Sequence, residues 1–250
     1  MTEKTMYTFT CTRHGTYESE HEKMGALSWK HCPTCVSDAK EFERTEQARY
    51  AEERRVAGIA ERTKRSGIPE RFLGKSLSEY SAKTKGQIAA LEFSTTYAKE
   101  FADVQKTGRG AIFCGKPGTG KTHLAIAIGN QVIEHGLSVG FVTVQRIMRR
   151  LKDCMRKNSE ESESDVMGIL EDFDLLILDE VGVQFGSEYE KNAMFDILNA
   201  RYEKRRPTIL ISNLSANEVK AFIGERVFDR LREDGGVCVP FDWVSHRGQA

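Results

Sequence analysis

From about residue 67 onward, short apolar runs alternate with stretches whose apolar positions recur at helical spacing; the first 66 residues show neither pattern. Ala111-Ile-Phe-Cys114 reads as a buried strand, and His123-Leu-Ala-Ile-Ala-Ile-Gly-Asn-Gln-Val-Ile-Glu134 reads as a helix with an apolar face. A strand follows at Val139–Thr143, then a helix from Arg146 to Lys157, a polar loop from Asn158 to Ser164 and a short helix from Asp165 to Glu171. Next come a strand at Leu175–Leu178, a helix from Tyr189 to Glu203 and a strand at Thr208–Ser212. A helix near Arg226 to Arg232 and a short strand at Val237–Val239 complete the pattern. Strands that are apolar along their whole length and separated by helices indicate a parallel sheet covered on both faces. The pattern thus predicts an α/β domain.

Upstream, the stretch from Asp38 to Arg65 is dominated by charge, has high helix propensity and contains no proline, and Gly67 with Pro69 ends it. Its apolar stripe is thin, so it reads either as a solvated connecting helix or as a helix that binds a partner or a second copy of itself. Residues 1–36 are instead rich in Cys and His. The expected organisation is a small module over 1–36, a charged helical linker over 37–66 and the α/β domain over 67–250, which a chain of 250 residues can accommodate.

Composition narrows the function classes. Lys and Arg total 37 and Asp and Glu total 37, so any contact with nucleic acid must come from a local patch. No apolar run approaches the roughly 18 residues that span a bilayer, and Met1-Thr-Glu-Lys-Thr-Met-Tyr lacks the apolar core of a signal peptide. A cytoplasmic protein with no membrane partner is expected. Of the six cysteines, Cys11, Cys32 and Cys35 fall in the first 35 residues, while Cys114, Cys154 and Cys238 are scattered through apparent core elements. That distribution suits a metal site plus buried free thiols better than a disulfide framework.

The segment Gly115-Lys116-Pro117-Gly118-Thr119-Gly120-Lys121-Thr122, followed by His123, fills every specified position of the phosphate-binding pattern G-x-x-x-x-G-K-[ST]. Glycines let the backbone wrap its N–H groups around anionic oxygens, Lys121 reaches the β/γ-phosphates and Thr122 offers its hydroxyl to Mg²⁺. Its place between a buried strand and a helix is what a true phosphate loop requires. Leu175-Leu-Ile-Leu-Asp179-Glu180 delivers two carboxylates at the end of an apolar strand, the end where such sheets bind ligands. Asp179 suits Mg²⁺, and Glu180 suits the attacking water. An adjacent acid pair favours ATP hydrolysis over phosphoryl transfer to a metabolite.

Asn213, at the tip of Thr208-Ile-Leu-Ile-Ser-Asn213, can hydrogen-bond the γ-phosphate or the water; the alternative is a loop Asn forming an Asx turn. Arg226 and Arg230 lie four residues apart and share a helix face. They either pair with Glu225 and Asp229, or one of them completes the transition-state charge of a neighbouring subunit's site.

Cys11-Thr-Arg-His14 and Cys32-Pro-Thr-Cys35 give two knuckles of C-x-x-H and C-x-x-C spacing, which suit a closed tetrahedral Zn²⁺ site. A redox pair and free thiols are the competing readings, and His21 and His31 compete with His14 for the fourth position. Tyr17 and Trp29 are expected to pack on the knuckles.

The phosphate loop, the Asp-Glu strand, the strand-tip Asn and the paired arginines, in this order, resemble an AAA+ ATPase core. Arg65-Ser-Gly-Ile-Pro-Glu-Arg-Phe72, Leu178-Asp-Glu-Val-Gly-Val-Gln184, Tyr189-Glu-Lys191, Lys204-Arg-Arg-Pro-Thr208, Gly224-Glu-Arg-Val-Phe-Asp-Arg230 and Phe241-Asp-Trp-Val-Ser-His-Arg247 are similar to the DnaC-type helicase loaders of bacteria and their phage-encoded relatives. The resemblance covers residues 65 to 247 and implies an AAA+ P-loop core with no full C-terminal lid domain. It implies an ATPase that binds a DnaB-like replicative helicase, delivers it onto single-stranded DNA and forms a homo-oligomer with helicase and ATP bound. It also implies that the basic helix carrying Arg146, Arg149, Arg150, Arg156 and Lys157 contacts DNA; a solvated face is the alternative for those charges. Ile147 and Met148 are expected in the core. The bacterial loaders lack the Cys/His cluster, so how this chain holds its helicase is left open. An IstB-like transposition helper that binds duplex DNA and a transposase shares most core motifs, and a nucleotide-gated adaptor without essential hydrolysis is the third possibility.

Overall fold

Every strand expected from the apolar runs is present in the computed structural model of the protein, which describes residues 4–22, 32–156, 159–182 and 187–246. The chain divides into two units, Met1–Ala57 and Gly58–Ala250. In the first, β1 (Lys4–Cys11) and β2 (Gly15–Glu22) pair as an antiparallel hairpin whose register runs from Lys4 opposite Glu22 to Cys11 opposite Gly15. In β1, Tyr7, Phe9 and Cys11 alternate with Thr8 and Thr10, a half-apolar strand signal distinct from a continuous apolar run, whereas β2 is polar apart from Tyr17. Phe9 and Tyr17 stack across it with centroids 5.6 Å apart, so Tyr17 packs on its strand partner; Trp29 lies outside the described residues.

The helix α1 (Pro33–Arg65) starts in the first unit and ends in the second. Proline is tolerated at its first position because the missing N–H has no intrahelical acceptor there. None of its residues is buried, and pairs such as Arg49–Glu46, Arg55–Glu52 and Arg65–Glu61 run along its exposed surface, where solvent screens them.

In the second unit the elements run α2 (Lys85–Lys99), α3 (Phe101–Thr107), β3 (Ala111–Gly115), α4 (Lys121–Glu134), β4 (Val139–Thr143), α5 (Val144–Cys154) and α6 (Glu163–Asp172). They continue with β5 (Leu175–Asp179), α7 (Glu188–Glu203), β6 (Thr208–Ser212), α8 (Ala216–Ile223), α9 (Glu225–Arg232) and β7 (Val237–Phe241). The sheet has the order β4-β5-β6-β3-β7 with all pairs parallel. Alternate strand residues face opposite layers. Ala111, Phe113, Leu175, Ile177, Ile209 and Ile211 pack with α2, α3 and α4, whereas Ile112, Leu176, Leu178 and Leu210 pack with the helices from α5 to α9.

Three helices escape the apolar pattern for identifiable reasons. The core-facing side of α2 consists of Gln87, Ala90, Ser94, Tyr97 and Ala98, mostly small or polar residues. α3 and α8 span only 7 and 8 residues. The basic helix α5 ends at Cys154, three residues short of the expected boundary, which leaves Arg156 beyond it and Lys157 outside the described residues. α6 begins earlier than expected because Ser162 and Asp165 form a capping box. All six cysteines are free; Cys114 is buried as expected, whereas Cys154 and Cys238 are half-buried. Among the described residues no helix is long and apolar enough to cross a membrane.

The largest fully buried side chain belongs to Arg201. Its Nε donates to Thr208 Oγ1 at 2.9 Å, Nη1 to the carbonyls of Leu170, Glu171 and Phe173 at 2.8, 3.0 and 2.9 Å, and Nη2 to the Pro207 carbonyl at 2.7 Å. The partly negative C-terminus of α6 takes the place of a carboxylate partner. Burial, reinforced by the nearby charge of Arg206, pulls the guanidinium down to about 9. Arg201→Met is expected to orphan these acceptors and to lower stability by about 3 kcal/mol, read as a shift of the urea midpoint at constant slope.

Candidate functional site

The turn from β3 into α4 carries three glycines in backbone conformations that L side chains avoid, Gly115 at φ 121°, Gly118 at 75° and Gly120 at 96°. A Cβ on Gly115 would lie 2.5 Å from the Phe241 carbonyl oxygen, and one on Gly120 would lie 2.6 Å from the Tyr80 ring. α4 starts without a side-chain cap, whereas α2, α5, α6, α7 and α8 are capped by Thr84, Thr143, Ser162, Ser187 and Ser215. Its first N–H groups therefore point into the loop, which is the arrangement that holds phosphate. Lys121 is 5% exposed, and its ammonium donates to the carbonyls of Gly115 and Lys116, both at 2.7 Å. Lys116 and Pro117 form the exposed tip.

The loop is braced by residues outside the phosphate pattern. The Thr119 carbonyl accepts from the Tyr80 hydroxyl at 3.1 Å and from the Trp243 indole N–H at 3.0 Å. The Gly118 carbonyl accepts from the His246 backbone N–H at 2.9 Å, and Lys116 donates its own N–H to the Phe241 carbonyl at 2.8 Å. Rings of Phe113, Phe241 and Trp243 pack in series, with centroids 5.3 and 4.8 Å apart. Burial pushes the Tyr80 phenol up to about 12, so it remains a donor at neutral pH. His123 Nε2 lies 3.2 Å from the Ser76 carbonyl, which links the start of α4 to the segment before α2. Composition and spacing single out none of Tyr80, Trp243 or His246, because the three converge on the loop from opposite ends of the domain.

Asp179, at the end of β5, accepts the Thr122 hydroxyl at 3.0 Å. The two side chains are close enough to each other that Thr122 and Asp179 would together hold Mg²⁺. Burial raises the Asp179 carboxyl, offset by the Glu180 N–H, the Thr122 hydroxyl and the Lys121 charge. Glu180 is exposed and held at φ 61°, a left-handed conformation that costs a non-glycine residue about 1 kcal/mol, and its N–H caps Asp179 Oδ1 at 2.7 Å. β6 lies between β3 and β5, so Asn213, exposed just after β6, stands between the phosphate loop and the acid pair.

The paired arginines of α9 have different environments. Arg230 is hydrogen-bonded to Asn199 Oδ1 and lies over the Tyr202 ring at 4.5 Å. Arg226 is exposed and has no ion-pair partner among the described residues. On α5, Ile147 and Met148 are buried as expected. Arg150 is paired bidentately with Glu161, and Arg156 lies 3.1 Å from Asp153. Arg146 and Arg149 are exposed, and with Arg65 and Arg150 they line a groove of about 460 Å³ floored by Phe141, Ile147 and Phe173.

In the first unit, Cys11 at the end of β1, His14 in the hairpin turn, and Cys32 and Cys35 at the start of α1 bring their ligand atoms within 4.8 Å of one another. His21 pairs with Thr5, six residues along β2 from Gly15 and so about 20 Å from the turn, while His31 lies outside the described residues.

The brace on Thr119 generates a test. Tyr80→Phe and Trp243→Phe each leave one donor to its carbonyl, and each is expected to weaken ATP binding about fivefold, equivalent to about 1 kcal/mol, in a titration with fluorescent nucleotide. The double substitution orphans a buried carbonyl and is expected to exceed the product of the two.

Comparisons with known proteins identify the family and the fold. A family model for the IstB-like ATP binding protein matches residues 71–232. The replicative helicase loader DnaC of Escherichia coli strain K12 is 40% identical over 185 residues, 74% of this chain and 74% of that protein. The protein of the same name from Buchnera aphidicola of Acyrthosiphon pisum is 40% identical over 183 residues, 73% of each chain. A crystal structure of the DnaC helicase loader superposes with a TM-score of 0.61 and 23% identity, covering 70% of this chain and 100% of that one, and it shows the shared AAA+ fold. No helical lid follows β7 among the described residues. The chain therefore belongs to the IstB-like ATP-binding family, as an AAA+ P-loop protein of the DnaC type.

Proposed function

We propose that this protein is an ATPase that binds a DnaB-like replicative helicase and delivers it onto single-stranded DNA during replication. The observation that carries this reading is the convergence of Lys121, Thr122, Asp179, Glu180 and Asn213 at one end of the sheet, in a core 40% identical to replicative helicase loaders.

The two carbonyls of Gly115 and Lys116 hold the Lys121 ammonium, and ATP binding exchanges them for β- and γ-phosphate oxygens. The N–H groups from Gly118 to Lys121 take the remaining phosphate charge, and Thr122 with Asp179 holds Mg²⁺, which neutralises charge on the phosphates when bound. Glu180 accepts a proton from the attacking water or orients it, and Asn213 hydrogen-bonds the γ-phosphate or that water. Arg226 or Arg230, on one face of α9, is the arginine offered to a neighbouring copy in a homo-oligomer. Arg146 and Arg149 supply phosphate contacts to single-stranded DNA. The cluster of Cys11, His14, Cys32 and Cys35 holds a structural Zn²⁺ that ties the hairpin to α1. A pair of strands without a third is marginal in water by itself, and a bound metal supplies the missing folding free energy.

Four measurements test this reading. Glu180→Gln is expected to lower ATP turnover by about 100-fold or more while ATP binding is retained. The full-length protein is expected to copurify with the host replicative helicase and, with ATP, to prefer single-stranded over duplex DNA. Equal affinity for the two would redirect the assignment to a transposition helper. Arg146→Glu with Arg149→Glu is expected to flatten the salt dependence of single-strand binding by about 1.4 in the log–log slope, and an unchanged slope would remove α5 from the DNA contact.

A further inference from the structure

The Cys/His cluster has a defined internal geometry. His14 Nδ1 lies 3.8 Å from Cys11 Sγ, 3.8 Å from Cys32 Sγ and 3.3 Å from Cys35 Sγ, and Cys11 Sγ lies 3.6 Å from Cys35 Sγ. A tetrahedral zinc ion with Zn–S of about 2.3 Å and Zn–N of about 2.0 Å sets edges of about 3.8 Å between sulfurs and about 3.5 Å between nitrogen and sulfur. These four of the six edges agree to within about 0.3 Å, and the other two, from Cys32 Sγ to Cys11 Sγ and Cys35 Sγ, are within 4.8 Å. Three sulfurs and one ring nitrogen around a common centre form the donor set of a closed metal site; a redox pair needs only two sulfurs.

The other ring nitrogen is also engaged. His14 Nε2 lies 3.0 Å from Asp38 Oδ2. Asp38 stands three residues after Cys35 on α1, hence on the same helix face. Metal-ligating histidines commonly donate their second N–H to a carboxylate, which fixes the tautomer and the ring plane. The backbone N–H of Arg13 reaches Cys11 Sγ at 3.4 Å, a second outer contact of the kind that orients thiolate ligands. Three thiolates already outweigh the charge of one Zn²⁺, so a further carboxylate acts by orientation, not by charge balance.

We infer that Cys11, Cys32, Cys35 and specifically Nδ1 of His14 ligate the zinc, with Asp38 as the positioning residue that accepts the Nε2–H of His14. The inference rests on the zinc reading above and adds the ligating atom and the outer partner, neither of which spacing reveals. Asp38 thereby gives the metal site a second link between the hairpin turn and α1, through the imidazole itself.

The test uses the full-length protein as purified without chelator, with Zn²⁺ as the only added ligand. Elemental analysis is expected to give one zinc per chain. Long-range proton–nitrogen correlation spectra of the histidine rings are expected to show one imidazole protonated at Nε2 and metal-bound at Nδ1, and that signal set is expected to disappear in His14→Ala. In competition against a chromophoric chelator, Asp38→Ala is expected to weaken zinc binding by about 10- to 100-fold. Asp38→Asn, whose amide oxygen still accepts the ring N–H, is expected to recover most of that loss, and Glu41→Ala is expected to leave affinity unchanged. Absence of zinc would overturn both the zinc reading and this assignment. One zinc per chain with His14 bound through Nε2, or with Asp38→Ala as tight as the unsubstituted protein, would overturn the assignment alone. The ring spectrum of the unsubstituted protein decides the ligating atom even if the variants fold poorly.

Discussion

Burial of the Lys121 ammonium at the carboxyl end of the sheet is the constraint on which the rest of the nucleotide site depends. A cation that is 5% exposed must be met by oxygen, and its own loop supplies it through the carbonyls of Gly115 and Lys116. Turning those carbonyls inward requires φ of 121° at Gly115 and leaves no room for a side chain against the Phe241 carbonyl. The strand that presses on Gly115 is β7, so the last strand of the domain shapes its first functional turn. The segment after β7 then adds Trp243 and His246 to the same loop.

The parallel sheet accounts for the remaining convergence. All strands end on one side, so the ends of β3, β5 and β6 present Gly115, Asp179 and Asn213 along one edge despite roughly 100 residues between the first and last. Asp179 is held by opposing effects: burial raises its carboxyl while the Thr122 hydroxyl and the Lys121 charge lower it. A half-buried carboxylate in that balance gains from a divalent cation. Glu180, strained at φ 61°, points its backbone N–H back to Asp179, which leaves its side chain on the exposed side of the site.

The second unit could be read well from its sequence where burial was complete. The five apolar runs became the five strands, with boundaries within about two residues; β3, β5 and β6 are buried on both faces, which leaves one composition open to them, whereas the edge strand β7 buries only Val239 and Phe241 and was the least completely read. α2 could not be found that way, since its buried face is Gln87, Ala90, Ser94, Tyr97 and Ala98 and close packing against α4 needs small residues, not large apolar ones. The hairpin of the first unit left a short signal in one strand only: Tyr7, Phe9 and Cys11 alternate with Thr8 and Thr10 in β1, while β2 is polar beyond Tyr17. Cysteine and histidine spacing nevertheless pointed to the cluster, because metal chemistry constrains residue type and separation even where a core does not.

Residue type and local spacing were enough to determine the parallel α/β architecture and to point to the phosphate loop, the acid pair, the strand-tip Asn213 and the Cys/His cluster, since each is set by short-range backbone geometry or by which atoms can bind phosphate or metal. Only the tertiary structure decided that Tyr80 and Trp243 share one carbonyl of the loop, that Arg230 is occupied and Arg226 exposed, that Arg150 is spent on Glu161, and that His14 faces the sulfurs through Nδ1 with Asp38 behind it. Those facts depend on pairs of residues up to 124 positions apart and on the orientation of single side chains. Neither leaves a periodic signal along the chain.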